Sequence, residues 1–122
     1  GDVYKRQHRN NTSTTRKEDL THRFYTLMMD NYREHKEVIF YADKLHVSSK
    51  YLSEVVKETS GKSPKDWIID YSLLEIKELL KNSSLNIQEI TIRTKFLNQS
   101  ALGRFFKRHT NMSPSEYRES TY

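Results

Sequence analysis

Two short sets of side chains, 50 residues apart, could do chemistry in this sequence: Ser49, Lys50, Ser53 and Glu54, then Gln99, Ser100, Gly103 and Arg104. Steps of one, three and four place each set on one face at the start of a helix. A Gln amide matches N6 and N7 of adenine, an Arg matches O6 and N7 of guanine, and a Glu can accept from N4 of cytosine. Further along each helix come Lys57 in the first set and Lys107 and Arg108 in the second. Such cations suit phosphates, which position a nucleic acid without specifying its sequence. Double-stranded DNA is therefore the expected partner. A plainer account remains open for two of these residues. Glu54 can pair with Lys50 or Lys57 on a solvated helix, and Arg104 can be an ordinary surface charge.

Such side chains are useful only if something holds both helices in the same way. The sequence supplies it twice. "GKSPKDW" at 61–67 returns as "NMSPSEY" at 111–117. An offset of 50 pairs Ser48 with Asn98, Leu52 with Leu102, Val56 with Phe106, Lys57 with Lys107, Gly61 with Asn111 and Ser63 with Ser113. Ser48, Ser63, Asn98 and Ser113 are the expected helix N-caps. Gly61 and Asn111 tolerate the left-handed backbone that stops a helix. Before the turn the offset is 49, pairing Ala42 with Thr91 and Val47 with Phe96, so the second copy has one extra residue there. A small residue in a short helix, a plug in the turn and a capped second helix make a helix-turn-helix. One copy alone would suit an αα-hairpin in a bundle better. Two copies in one register favour the helix-turn-helix.

The expected architecture is all-α, with about seven helices in two helix-turn-helix subdomains joined by one long linker helix. Apolar residues at Leu20, Phe24, Leu27, Met28 and Tyr32 mark a first helix over about 18–34, and "VIFYADKL" a short second over 38–45. The helices offered to the groove cover about 48–59 and 98–109. Residues 18–62 form the first subdomain, 63–81 the linker helix and 82–122 the second subdomain with a closing helix. Trp67, Ile68, Tyr71, Leu74 and Leu79 are the expected buried face of the linker, which at roughly 1.5 Å per residue spans about 27 Å. Residues 1–17 lack apolar periodicity and read as a disordered tail. Within it, residues 2–7 back-translate to a sequence resembling the mosaic-end adapter of transposon-based sequencing libraries. On that reading they are a translated scar, and the natural chain continues upstream.

Composition narrows the alternatives. Charged residues at 30% against 34% apolar leave only a thin core, and few Gly and Pro favour helices. A net charge of +5 mildly favours an anionic partner. The chain has no Cys to act as nucleophile or thiolate ligand, and its five His show no metal-ligand spacing. No catalytic residue, cofactor or metal is expected. Neither a membrane span nor a signal peptide stands out, and the expected location is the cytoplasm.

"NQSALGRFFKRHTNMSPSEYR" resembles the S-x-x-F-x-R-x-F-K-x-x-x-G-x-S-P-x-x-Y-R signature of the AraC/XylS family of bacterial transcription regulators. "YADKLHVSSKYLSEVVKE" resembles the family's first-copy pattern, and "FYADKL", "YLSEVVKE" and "FFKRHT" look most like members from Bacteroidota. The resemblance implies two recognition helices entering successive major grooves about 34 Å apart. It also implies an N-terminal sensing or dimerising domain and RNA polymerase as a further partner. The second copy departs from the pattern: Thr91 replaces a small Ala, Thr94 an apolar residue, Lys95 a turn Gly, Ala101 and Leu102 an aromatic pair, and Asn111 the signature Gly. These changes imply a second unit less stable than the first. They also leave an alternative, a helical protein-interaction module that has lost specific DNA binding.

Overall fold

The computed structural model describes residues 12–121, which form seven α-helices: α1 Thr12–Asn31, α2 Val38–Lys44, α3 Ser49–Ser60, α4 Pro64–Asn82, α5 Ile87–Arg93, α6 Gln99–Thr110 and α7 Pro114–Glu119. The expectation for residues 2–7, like the rest of the chain before 12, lies outside the described residues. The expected tail ended too late, because residues 12–17 are already helical. No Gly or Pro interrupts that stretch. Once the apolar face from Leu20 onward holds the helix, each further polar residue adds a backbone hydrogen bond at little cost. At its other end α1 stops at Asn31 rather than 34, where Asn31 Nδ2 donates to the Leu27 carbonyl at 2.7 Å.

The described chain divides into two compact units, the boundary falling between Ile68 and Ile69, inside α4. In the first unit Leu20, Phe24 and Met28 of α1 are buried, as are Tyr41 and Ala42 of α2, Leu52, Val55 and Val56 of α3, and Ile68. Phe24 meets the Tyr41 ring edge-on at 5.4 Å. The Tyr41 hydroxyl donates to the His35 carbonyl at 2.6 Å. Burial, with Glu37 adding, pushes that phenol far above its usual range, so it stays a neutral donor. Lys17 pairs with Glu58 at 3.2 Å, tying the start of α1 to the end of α3.

In the second unit Ile76 and Leu80 of α4 form a core with Ile90 of α5 and Leu102 and Phe106 of α6. Tyr117 of α7 sets its ring edge-on to Phe106 at 5.4 Å. Arg118 then fastens α7 to the end of α4. Its Nε donates to the Leu80 carbonyl at 2.8 Å and its Nη2 to the Leu79 carbonyl at 3.3 Å. Those carbonyls lie in the last turn of a helix, where no intrahelical donor reaches them. The closing Arg of the "SPSEYR" stretch therefore acts as a C-terminal cap for the long helix.

The buried stripe of α4 is Ile68, Ser72, Ile76 and Leu80. Trp67, Tyr71 and Leu79 are only half-buried. The expected face erred at Leu74, which is 60% exposed. A strict step of four keeps one side of a helix inward, and Leu74 is half a turn out of that register. This stripe extends the repeat. Leu20, Phe24 and Met28 of α1 correspond to Ser72, Ile76 and Leu80 of α4 at an offset of 52. The long helix is thus the supporting helix of the second unit as well as a connector.

Candidate nucleic-acid interface

The two turns that aim the candidate helices are built alike. The Val47 N–H donates to the Ala42 carbonyl at 3.0 Å, and the Phe96 N–H to the Thr91 carbonyl at 3.1 Å. The residue just before Val47 or Phe96 has a left-handed backbone in both copies: His46 at φ 59° and Lys95 at φ 64°. The family pattern, with a turn Gly where Lys95 stands, points to this demand at Lys95 alone. His46 meets it too, so turn strain is shared and does not separate the copies.

Each candidate helix then starts on its cap. Ser48 Oγ accepts from the Tyr51 N–H at 3.0 Å, and Asn98 Oδ1 from the Ala101 N–H at 2.8 Å. Gly61 (φ 85°) and Asn111 (φ 62°) end the helices in the left-handed conformation. Ser63 and Ser113 restart the chain by accepting from the N–H of Asp66 at 3.2 Å and of Glu116 at 3.1 Å. The Glu116 carboxylate returns a bond, accepting from the Ser113 N–H at 2.8 Å. Hydrogen bonds from the Ser113 backbone and side chain hold that carboxyl below its ordinary range, with Lys107 adding to the effect. The hydroxyls of Ser60 and Thr110, also 50 apart, donate to the carbonyls of Val56 and Phe106, at 2.6 and 2.7 Å, while Ser60 Oγ accepts from the Trp67 indole N–H at 2.9 Å and Thr110 Oγ1 from the Met112 N–H at 3.2 Å.

On these frames Lys50, Glu54 and Lys57 of α3 are exposed, as are Gln99, Ser100, Arg104, Lys107 and Arg108 of α6. Ser49, Ser53 and Gly103 are half-buried. The side chains of Lys50, Glu54, Lys57, Arg104 and Arg108 make no hydrogen bond or ion pair with another described residue. The alternative pairing of Glu54 with Lys50 or Lys57 is therefore not formed. Gly103 brings no side chain, and a Cβ added there would meet nothing within 4 Å. It leaves open space at the middle of the α6 face. Lys107, Arg108 and His109 sit in the last turn of α6, where cations also favour the helix dipole.

Two residues of this region escaped the sequence reading. Gln88 of α5 accepts a hydrogen bond from Gln99 Nε2 at 2.8 Å. That leaves the Gln99 carbonyl oxygen and one amide hydrogen for a base edge, the pair an adenine requires. No sequence rule links positions in different helices, so only the fold could show it. Asn86 caps α5 through a reciprocal box with Glu89, at 2.8 and 2.9 Å. Its N-x-x-E spacing was legible in the sequence. Among the described residues, no helix is long and apolar enough to cross a membrane, and no cluster of three or more His, Cys, Asp or Glu could hold a metal.

Duplicated, capped helix-turn-helix units with free polar faces define a class, and comparison with known proteins gives the family. The helix-turn-helix domain family matches residues 41–120. An uncharacterized HTH-type transcriptional regulator, YobQ of Bacillus subtilis, is 32% identical over 77 residues, covering 63% of this chain and 32% of that protein. The C-terminal domain of AraT, a response regulator from Geobacillus stearothermophilus, superposes with a TM-score of 0.73 at 26% identity, over 84% of this chain and 89% of that one. The DNA-binding domain of AdpA, a global transcriptional factor solved with a target DNA, shares the fold with a TM-score of 0.68 at 23% identity, over 80% of this chain and 88% of that one. The chain belongs to the AraC/XylS family of helix-turn-helix transcription regulators. It spans about a third of the length of the curated relatives it matches first.

Proposed function

We propose that this chain binds double-stranded DNA sequence-specifically as the output part of a bacterial transcription regulator, with α3 and α6 as its recognition helices. The observation that carries the reading is the duplicated frame: the same turn bond, the same left-handed turn residue and the same cap present two exposed polar faces. Arg104 and Gln99 are the strongest base-reading candidates, for guanine and adenine in turn. Ser100 adds a hydroxyl beside them, and Gly103 gives a base edge room to approach. In α3 the readers are Lys50 and Glu54, flanked by Ser49 and Ser53. Lys57, Lys107 and Arg108 hold phosphates. The rival reading, a protein-interaction module, drew on the substitutions in the second copy. That copy keeps its turn, its cap and a closed core, which favours DNA.

By the same proposal the full protein works in the cytoplasm, carries a sensing or dimerising segment N-terminal to this one, and contacts RNA polymerase. The test is selection from random-sequence duplexes followed by shift assays across salt concentrations. A preferred site should emerge, with log K falling at about 0.9 per phosphate contacted per log unit of salt. Arg104→Ala should flatten preference at one base pair, a loss of about 1–3 kcal/mol of discrimination. If selection enriches no sequence, the reading is wrong.

A further inference from the structure

The extra residue in the second turn is Leu97, between Phe96, which makes the turn bond to Thr91, and the cap Asn98. It has no counterpart in the first turn, where Val47 directly precedes the cap Ser48. An apolar residue just before an N-cap ordinarily packs on the fourth residue of the helix, as a hydrophobic staple. In the first copy those positions are Val47, half-buried, and Leu52, fully buried. In the second copy the fourth residue is Leu102, also fully buried, yet Leu97 is 91% exposed. The staple is not made. Phe96 occupies the inward place instead, half-buried with its ring 5.1 Å from that of Phe105.

Leu97 is thus a large aliphatic side chain left in solvent at the leading end of α6. The residues that follow it, Asn98, Gln99 and Ser100, are polar and exposed. Single exposed apolar residues are common and need no function. This one differs in position, because it adjoins the first turn of a recognition helix, the part that meets base edges. The apolar group available on a major-groove edge is the 5-methyl of thymine.

We infer that Leu97 is a specificity-determining residue that packs against a thymine 5-methyl group in the half-site read by α6. This rests on the DNA-binding reading above, and it adds a contact that the polar face does not provide. The experiment uses a duplex selected by the unsubstituted protein. Each thymine in the α6 half-site is replaced in turn by deoxyuridine, which lacks only the methyl. One replacement should weaken binding by the unsubstituted protein about fourfold, the equivalent of one buried methyl-sized group. Leu97→Ala should bind the unmodified duplex correspondingly less well and be insensitive to that same replacement. Leu97→Met, which keeps an apolar contact, should restore the sensitivity. Because Leu97 is exposed, neither variant should alter thermal stability, which the same preparations can confirm. If the protein selects a site, but Leu97→Ala and the unsubstituted protein respond alike to every deoxyuridine, the Leu97 contact is refuted and the DNA-binding reading stands. If no site is selected, both fall together.

Discussion

The two helix-turn-helix units repeat one backbone plan with different interiors. Where the first unit buries Ala42 and Leu45, the second buries Thr91 and Thr94. The substitutions look severe in sequence. In the structure both hydroxyls are satisfied inside their own helix: Thr91 Oγ1 donates to the Ile87 carbonyl and Thr94 Oγ1 to the Ile90 carbonyl, each at 2.7 Å. The Ile90 carbonyl already accepts the Thr94 N–H at 2.9 Å, so the hydroxyl bond adds little. Ser72, in the place of Leu20, is buried with no hydrogen-bond partner among the described residues. The difference teaches that a helix-turn-helix tolerates Thr at its helix crossing when the backbone of the same helix absorbs the hydroxyl, as at Thr91 and Thr94 but not at Ser72. What is lost is apolar area rather than geometry. We therefore propose that the second unit keeps the recognition frame with a smaller stability margin.

The largest effects should come from the matched core positions. Leu52→Ala in the first unit should cost about 2–5 kcal/mol and Phe106→Ala in the second about 3–5 kcal/mol. Residue-level amide exchange should show protection falling furthest in the unit that carries the change. In the unsubstituted free protein α5 and α6 should exchange faster than α2 and α3. Uniform protection across both pairs would break the comparison.

The next test addresses the turns. His46→Gly and Lys95→Gly should each stabilise by about 1 kcal/mol, because glycine takes positive φ without a steric penalty. Denaturant titration should give similar gains. A gain at Lys95 alone would restore turn strain as a difference between the copies. Thr94→Val, nearly isosteric, should stabilise the second unit by about 0.5–1 kcal/mol by removing a buried hydroxyl that the core does not need. A loss of stability there would show that the hydroxyl bond matters to the helix.

The smallest effect sharpens the two caps. The carboxyl of Glu116 has its pKa lowered in the folded protein, so its contribution is present above the ordinary carboxylate pKa. It should be lost as pH falls through the lowered folded value. Protection of the α7 amides should decline over that acid window, and Glu116→Gln should remove the dependence. An unchanged acid profile in Glu116→Gln would mean that the box does not govern the docking of α7.

Much of this was legible beforehand because it is local. The caps Ser48, Ser63, Asn98 and Ser113, the stops Gly61 and Asn111, and the exposed faces of α3 and α6 depend on neighbours within a few residues in the chain. The misses came from longer range. Leu74 reads as inward because the spacing along one helix cannot show which of two adjacent stripes will meet a partner. The helix over 12–17 is not legible because nothing in its polar residues signals that α1 will be held further along. The left-handed backbone of His46 is not legible either, since its residue type does not announce one.

The sequence by itself determined the class of helix, the duplicated register and the polar chemistry at the start of α3 and α6, since spacing and caps act through the backbone nearby. Tertiary structure alone decided that Gln88 orients Gln99, that Arg118 closes the end of α4, and that Leu97 stands in solvent while Phe96 turns inward. Each of those outcomes depends on which atoms of distant segments arrive within bonding or packing distance, and spacing along the chain cannot supply that.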